Sequence, residues 1–189
     1  PSAMIQRDFN LECVNLATSG QARMDFYIAE AMASIEDAIC YVIDPVPNCT
    51  KDRCDTATYD FINILRTLRP EVPIVMVEGL MYPYTRHDSY HAEYLPQKNE
   101  CFRRGFDQHV AENPKGMYYM THEGQTGPDM EGTVDGVHLT DYGFRAYADL
   151  LEIVVKEALD DTDVDYDVEP AYNVVRKKTF WQRLMDLFQ

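Results

Sequence analysis

The chain has 189 residues, 46% of them hydrophobic, and a formal net charge of −15 at pH 7. This length corresponds to about one domain with a core of its own. The negative charge argues against nucleic acid as a partner, because a phosphate backbone is bound by Lys and Arg side chains. The sequence contains no run of about 18 apolar residues, so no transmembrane segment is predicted. Pro1–Ala3 does not begin a secretory signal, and the sequence therefore indicates no compartment.

Short apolar runs alternate with amphipathic stretches along the first 159 residues. The predicted strands are Leu11–Leu16, Ala38–Ile43, Val72–Val77 and Met117–Met120. The predicted helices are Met24–Ile35, Asp55–Leu68, Leu95–Val110 and a last one capped by Thr140. This alternation predicts a three-layer α/β/α doubly wound domain over residues 1–159, with a mostly parallel sheet. Ligands of such folds bind beyond the carboxyl ends of the strands.

The character of the sequence changes after Leu159. Residues 160–175 are rich in acidic side chains and predict a solvated linker. Residues 176–189 predict an amphipathic helix that contains Trp181, the only tryptophan. Two interpretations stay open for this helix, namely docking on its own domain or binding a separate partner.

An Asp-x-x-His pair, Asp135 and His138, precedes the last helix. Acyl transfer at neutral pH needs a base for a weak nucleophile, and histidine has a suitable pKa. A carboxylate beside that histidine fixes its tautomer. Alone, the pair is also compatible with an ordinary hydrogen-bonded loop.

Two further residues follow predicted strands at the same edge of the sheet. Gly20 lies in a turn where a backbone N–H can approach a ligand closely. Asn48 follows two prolines, Pro45 and Pro47, and its amide can donate to an oxyanion. A plain turn glycine and a capping asparagine are the simpler interpretations.

Together, the blocks Asn15–Asp25, Asp44–Thr50 and Asp135–Phe144 resemble the SGNH hydrolases, also called GDSL-like lipases or acylhydrolases. The order and spacing of the blocks carry the resemblance over residues 1–159. It implies a flavodoxin-like sheet, with His138 as general base and Asp135 orienting it. Gly20 and Asn48 would form the oxyanion hole.

The block that holds the nucleophilic serine of this family has no match in the chain. The first strand of the family's sheet is missing with it. The resemblance therefore implies a serine hydrolase of carboxylic esters whose nucleophile lies outside this chain. It favours small acyl groups, including acetyl on carbohydrate, and requires no cofactor or metal. The alternative is a non-catalytic carbohydrate- or protein-binding module that keeps the fold.

The loop after the third predicted strand offers candidate substrate contacts, namely Glu78, Tyr82, Tyr84 and His87. Their simpler interpretation is a half-buried or surface loop. His87 and His91 have the spacing of a metal-binding pair on a helix, but the surrounding sequence predicts an irregular loop. Cys49 and Cys54 lack the further ligands of a zinc site, so no metal is expected.

Overall fold

The computed structural model describes residues 1–162 as helices packed on both faces of a small parallel sheet. The helices are α1 (Ser2–Phe9), α2 (Phe26–Ala33), α3 (Lys51–Leu68), α4 (Ser89–Glu112) and α5 (Asp141–Asp160). The strands are β1 (Tyr41–Ile43), β2 (Ile74–Val77) and β3 (Met117–Met120). Short 3₁₀ turns at Val46–Asn48 and Pro83–Arg86 follow β1 and β2.

The sheet has the order β1-β2-β3, and both strand pairs are parallel. The central strand β2 is buried on both faces, and its side chains alternate between two cores. Ile74 and Met76 pack in the core formed with α2, α3 and α4. Val75 and Val77 pack in the core formed with α1 and α5. The predicted three-layer α/β/α architecture is therefore confirmed.

Side-chain caps set the beginnings of the long helices. Thr50 accepts a hydrogen bond from Arg53 N at 3.1 Å, and α3 begins before the predicted Asp55. Asp88 caps α4 in the same way, so this helix begins well before the predicted Leu95. Pro96, which lacks an amide hydrogen, lies inside α4 one residue after the predicted start. The predicted cap Thr140 begins α5 as expected.

The predicted strand at Leu11–Leu16 is wrong. This segment has no regular structure, and Val14 and Leu16 are 53% and 37% exposed. A strand requires a neighbour for its backbone hydrogen bonds, and no strand of residues 1–162 pairs with it. β1 and β2 are also shorter than predicted, since residues 38–40 and 72–73 precede the paired part of each strand.

The predicted C-terminal segments fall almost entirely outside the described residues. Helix α5 runs to Asp160, the first residue of the predicted linker at 160–175. The predicted helix at 176–189 lies beyond the described part. Among the helices up to residue 162, none combines the length and apolarity needed to cross a membrane.

A buried histidine gives the fold a pH dependence. His109, near the end of α4, is 3% exposed, and neither ring nitrogen has a hydrogen-bond partner among residues 1–162. Burial, helped by the positive charge of Arg66, lowers the pKa of His109. Below its ordinary pKa the unfolded chain therefore takes up a proton that the folded chain resists, and stability is lost as pH falls.

We expect His109→Leu to remove this loss. The free energy of unfolding of the variant, relative to the parent chain, should rise as pH falls from about 7.5 to about 5.5. Urea unfolding at both pH values measures it. An equal pH dependence of the two proteins would contradict the assignment.

Candidate active site

The Asp135–His138 pair is held by local hydrogen bonds in the loop before α5. The backbone N–H groups of Val137 and His138 donate to Asp135 Oδ1 at 2.9 and 2.8 Å. Nδ1 of His138 lies 2.7 Å from Asp135 Oδ2. The carboxylate stabilises a proton on Nδ1, which leaves a lone pair on Nε2.

These bonds also fix the charge of the carboxylate. The N–H of His138, then its ring, and then the N–H of Val137 hold the pKa of Asp135 well below its usual range. Asp135 is therefore ionised at neutral pH. The side chain of His138 is 78% exposed, so a reacting group can reach Nε2.

Tight packing against α5 and a tyrosine shapes the loop. Gly143 lies so close to Gly132 that an added Cβ would come within 2.0 Å of the Gly132 carbonyl oxygen. Gly136 has a φ of +88°, and an added Cβ would lie 3.3 Å from Cδ1 of Tyr84. The loop is thus fixed to the first turn of α5 and to the Tyr84 ring.

The predicted oxyanion donors lie on two neighbouring loops. Asn48 ends the 3₁₀ turn after β1, and within residues 1–162 its side-chain amide has no hydrogen-bond partner. Gly20 has a φ of +69° and open space around it. Arg53, in the first turn of α3, donates to the carbonyl oxygens of Arg23 and Met24 at 2.9 and 2.7 Å. The Gly20 loop is thereby tied to the helix that follows Asn48.

Tyr82 and Tyr84, the two tyrosines predicted as substrate contacts, lie between the Asn48 side of the sheet edge and the His138 loop. Tyr84 lies against Gly136 and stacks on Tyr82, with 5.5 Å between ring centroids. Burial, with smaller contributions from Tyr84 and from Asp44 at the end of β1, raises the pKa of Tyr82 to about 12. Asn48 and His138 therefore belong to loops at the same carboxyl edge of the sheet.

Glu78 is engaged with a histidine that the sequence analysis missed. It is buried after β2 and accepts hydrogen bonds from Tyr119 Oη at 3.1 Å and His122 N at 3.0 Å. Nδ1 of His122 lies 2.7 Å from Glu78 Oε2. Glu78, His122 and Glu123 place one ligand atom each within 4.8 Å of the others. The sequence signal that could have identified His122 as a site residue is its position two residues after the end of β3.

The His87–His91 segment differs from the predicted irregular loop. His87 is exposed after the 3₁₀ turn, whereas His91 lies in the first turn of α4. Nδ1 of His91 lies 2.6 Å from Asp88 Oδ2. The cap residue Asp88 thus engages one nitrogen of His91, and the two histidines share no helical face.

Asp44 is a second residue that the sequence analysis passed over. Tyr147 Oη donates to its Oδ2 at 2.7 Å. Asp44 keeps an exposed surface, and desolvation of its carboxyl group raises its pKa to about 6, against the effect of Tyr147. The amino group of Pro1 also interacts electrostatically with Asp44. The beginning of α1 therefore lies at this edge.

Comparisons with known proteins agree with this fold. The sequence profile of the GDSL-like Lipase/Acylhydrolase family matches residues 2–156. A search of curated proteins finds no match. A crystal structure of a protein from Bacteroides ovatus ATCC 8483, assigned as a GDSL-like lipase, is similar with 26% identity and a TM-score of 0.79. The aligned region covers 88% of this chain and 48% of that one.

A second solved structure shares the fold. It is the salicylyl-acyltransferase SsfX3 from a tetracycline biosynthetic pathway, with 14% identity and a TM-score of 0.65. The alignment covers 82% of this chain and 48% of that one, so the chain spans about half the length of both solved proteins. With the profile match over most of its length, the chain belongs to the GDSL-like lipase/acylhydrolase family, within the SGNH hydrolase superfamily.

Proposed function

We propose that the protein hydrolyses carboxylic esters through a serine nucleophile, with His138 as general base and Asp135 as the residue that orients it. The geometry of this pair carries the proposal. Its carboxylate takes three hydrogen bonds from the loop, one of them from the His138 ring, and leaves Nε2 accessible. A base oriented in this way is what a serine hydroxyl needs to attack a carbonyl carbon.

The nucleophile in this proposal precedes Pro1 and lies outside the 189 residues. The four serines of the chain are Ser2, Ser19, Ser34 and Ser89. Within residues 1–162, no serine hydroxyl forms a hydrogen bond with His138. Ser19, beside Gly20, is the first alternative to test.

The reaction would run in two halves. His138 Nε2 takes the serine proton as the serine oxygen bonds to the acyl carbon. The Gly20 N–H and the Asn48 amide then hold the oxyanion. His138 gives that proton to the leaving alcohol, and an acyl-enzyme remains. Water attacks the acyl carbon, His138 takes the proton of the water and returns it to serine, and the carboxylic acid leaves.

The aromatic surface beside His138 supports a carbohydrate as the alcohol half, and the family resemblance favours a small acyl group, such as acetyl, as the other half. Tyr82 and Tyr84 stack, the edge of His91 meets Tyr84, and Tyr90 continues the row to Tyr94. Tyr90 is largely exposed. Sugar rings present apolar C–H faces that pack on aromatic rings of this kind. The backbone N–H of His87 donates to the Tyr84 carbonyl oxygen at 2.9 Å.

The same surface favours one alternative function, a carbohydrate-binding module without catalysis. It would use the tyrosine row and leave the Asp135–His138 pair idle. A longer chain that includes the residues before Pro1 separates the two functions. Turnover of p-nitrophenyl acetate supports the hydrolase. Binding of sugars without hydrolysis of any ester tested supports the binding module.

Asn48→Ala in that longer chain tests the oxyanion assignment. We expect kcat for p-nitrophenyl acetate to fall about 10²- to 10³-fold with little change in KM, because the amide acts on the transition state. Asn63→Ala, on the exposed side of α3, is the matched control and should keep the parent kcat. A loss confined to KM would contradict the assignment.

A further inference from the structure

A buried glutamine, Gln125, lies near the start of the loop that carries the Asp135–His138 pair. Its residue is 1% exposed, and its Nε2 donates to the carbonyl oxygens of Glu78 and Thr121, both at 3.0 Å. Glu78 directly follows β2, and Thr121 directly follows β3. One side-chain amide therefore joins the carboxyl ends of two neighbouring strands, at the point where each chain segment leaves the sheet.

Backbone hydrogen bonds lead from Gln125 to the predicted base. The next residue, Thr126, accepts a hydrogen bond from Gly132 N at 2.9 Å. An added Cβ on Gly132 would come within 2.4 Å of the Thr126 carbonyl oxygen, so these two segments are in close contact. Two residues further on, Val134 N donates to the His138 carbonyl oxygen at 2.8 Å. The position of Gln125 is thereby transmitted to the turn that holds His138.

The backbone that Gln125 holds also supports the turn of the predicted oxyanion donor. Gly79 follows Glu78, and an added Cβ on Gly79 would lie 2.7 Å from Val46 Cγ1. Val46 is 2% exposed and begins the 3₁₀ turn that ends at Asn48. The segment after β2 therefore packs directly on the Asn48 turn.

A second buried amide holds the same backbone from α4. Asn99 Oδ1 accepts from Gly79 N, and Asn99 Nδ2 donates to the Gly79 carbonyl oxygen, both at 2.9 Å. Asn99 and Gln125 thus fix two consecutive residues, Gly79 and Glu78. Of these two amides, only Gln125 belongs to the loop of the predicted base, so only Gln125 connects that loop to the support of the Asn48 turn.

We propose that Gln125 is a positioning residue for ester hydrolysis, which sets the distance between the Asn48 amide and the His138 ring. The inference rests on the proposed function, because these two groups would act on the same transition state. They lie on separate loops, so a contact between the loops is needed to keep their distance. A displacement of about 1 Å between such groups can lower the rate about 10²-fold.

Gln125→Met in the longer chain tests the effect on turnover, because it keeps the length of the side chain and removes both donated hydrogen bonds. We expect kcat for p-nitrophenyl acetate to fall about 10²-fold with little change in KM. Gln108→Met, on the exposed side of α4, is the matched control and should keep the parent kcat. Gln125→Asn keeps an amide on a shorter side chain; it should give a smaller loss and replaces Gln125→Met if that variant does not fold.

A double-mutant cycle with Asn48→Ala separates positioning from a purely structural role. Gln125→Met should lower kcat less than about tenfold in the Asn48→Ala background, because the amide that Gln125 positions is already absent. A purely structural glutamine would lower kcat by the same factor in both backgrounds. That result, or the parent kcat in Gln125→Met, would overturn the proposal.

Amide hydrogen exchange of the 189-residue chain tests the contact without any turnover. The Asn48 N–H donates to the Pro45 carbonyl oxygen at 3.0 Å. Ile62, buried in the middle of α3, provides the reference amide. In Gln125→Met, exchange at Asn48 should accelerate about tenfold relative to exchange at Ile62, as loss of a supporting hydrogen bond allows local opening.

Equal acceleration at Asn48 and Ile62 would show a general loss of stability and would overturn the proposal. Selective acceleration at Asn48, together with a longer chain that hydrolyses no ester, overturns only the proposed function. Ester hydrolysis by a longer chain whose kcat does not respond to Gln125→Met overturns only the positioning role.

Discussion

In a longer chain that supplies the proposed serine before Pro1, His138→Ala should lower kcat for p-nitrophenyl acetate about 10⁶-fold. The nucleophile and its base act as one unit, so loss of the base removes nearly the whole contribution of the triad. The two oxyanion donors should leave a residual acceleration of roughly 10³- to 10⁴-fold over water. A stopped assay with long incubation measures both rates.

Neighbouring variants make this result specific. Asp135→Asn keeps the shape of the side chain but loses the charge that orients the ring, and should lower kcat about 10⁴-fold. Asp129→Asn is the control, because Asp129 lies on the same exposed loop and contacts Glu131 N and Tyr142 rather than His138. A His138→Ala variant that retained more than about a tenth of the parent kcat would show that another group is the base.

The 189-residue chain itself should turn over p-nitrophenyl acetate about 10⁶-fold more slowly than the longer chain. The physical reason is the missing acyl-enzyme, since a base and an oxyanion hole without a nucleophile can only assist direct attack by water. Parallel assays at equal protein concentration compare the two chains. Ser19→Ala in the short chain is the control, and it should leave the residual rate unchanged. Comparable rates in the short and long chains would place the nucleophile within the 189 residues.

Features set by local sequence could be predicted. The Thr140 cap, the start of α5 and the Asp135–His138 spacing depend on bonds between residues a few positions apart, such as the His138 N–H to Asp135 Oδ1 bond. Alternating apolar runs and helical stretches were likewise enough for the layer order around β2. These signals are carried by consecutive residues, so one sequence is sufficient to read them.

Features that depend on residues far apart in the sequence could not be predicted. Leu11–Leu16 has the composition of a strand, but a strand exists only beside a partner, and composition does not reveal one. His122 meets Glu78 across 44 positions in the chain. Lys98 looks like a surface lysine in the sequence, but the packing of α4 leaves it 5% exposed. Such pairings are created by the fold, and the sequence shows only that the residues exist.

Labelling of the longer chain with a fluorophosphonate probe, followed by mass spectrometry of the labelled peptide, tests the central claim most directly. The account predicts stoichiometric labelling of one serine that precedes Pro1, none of the 189-residue chain, and loss of labelling in the His138→Ala variant. Labelling of Ser19, or ester turnover by a longer chain that no probe labels, would contradict it.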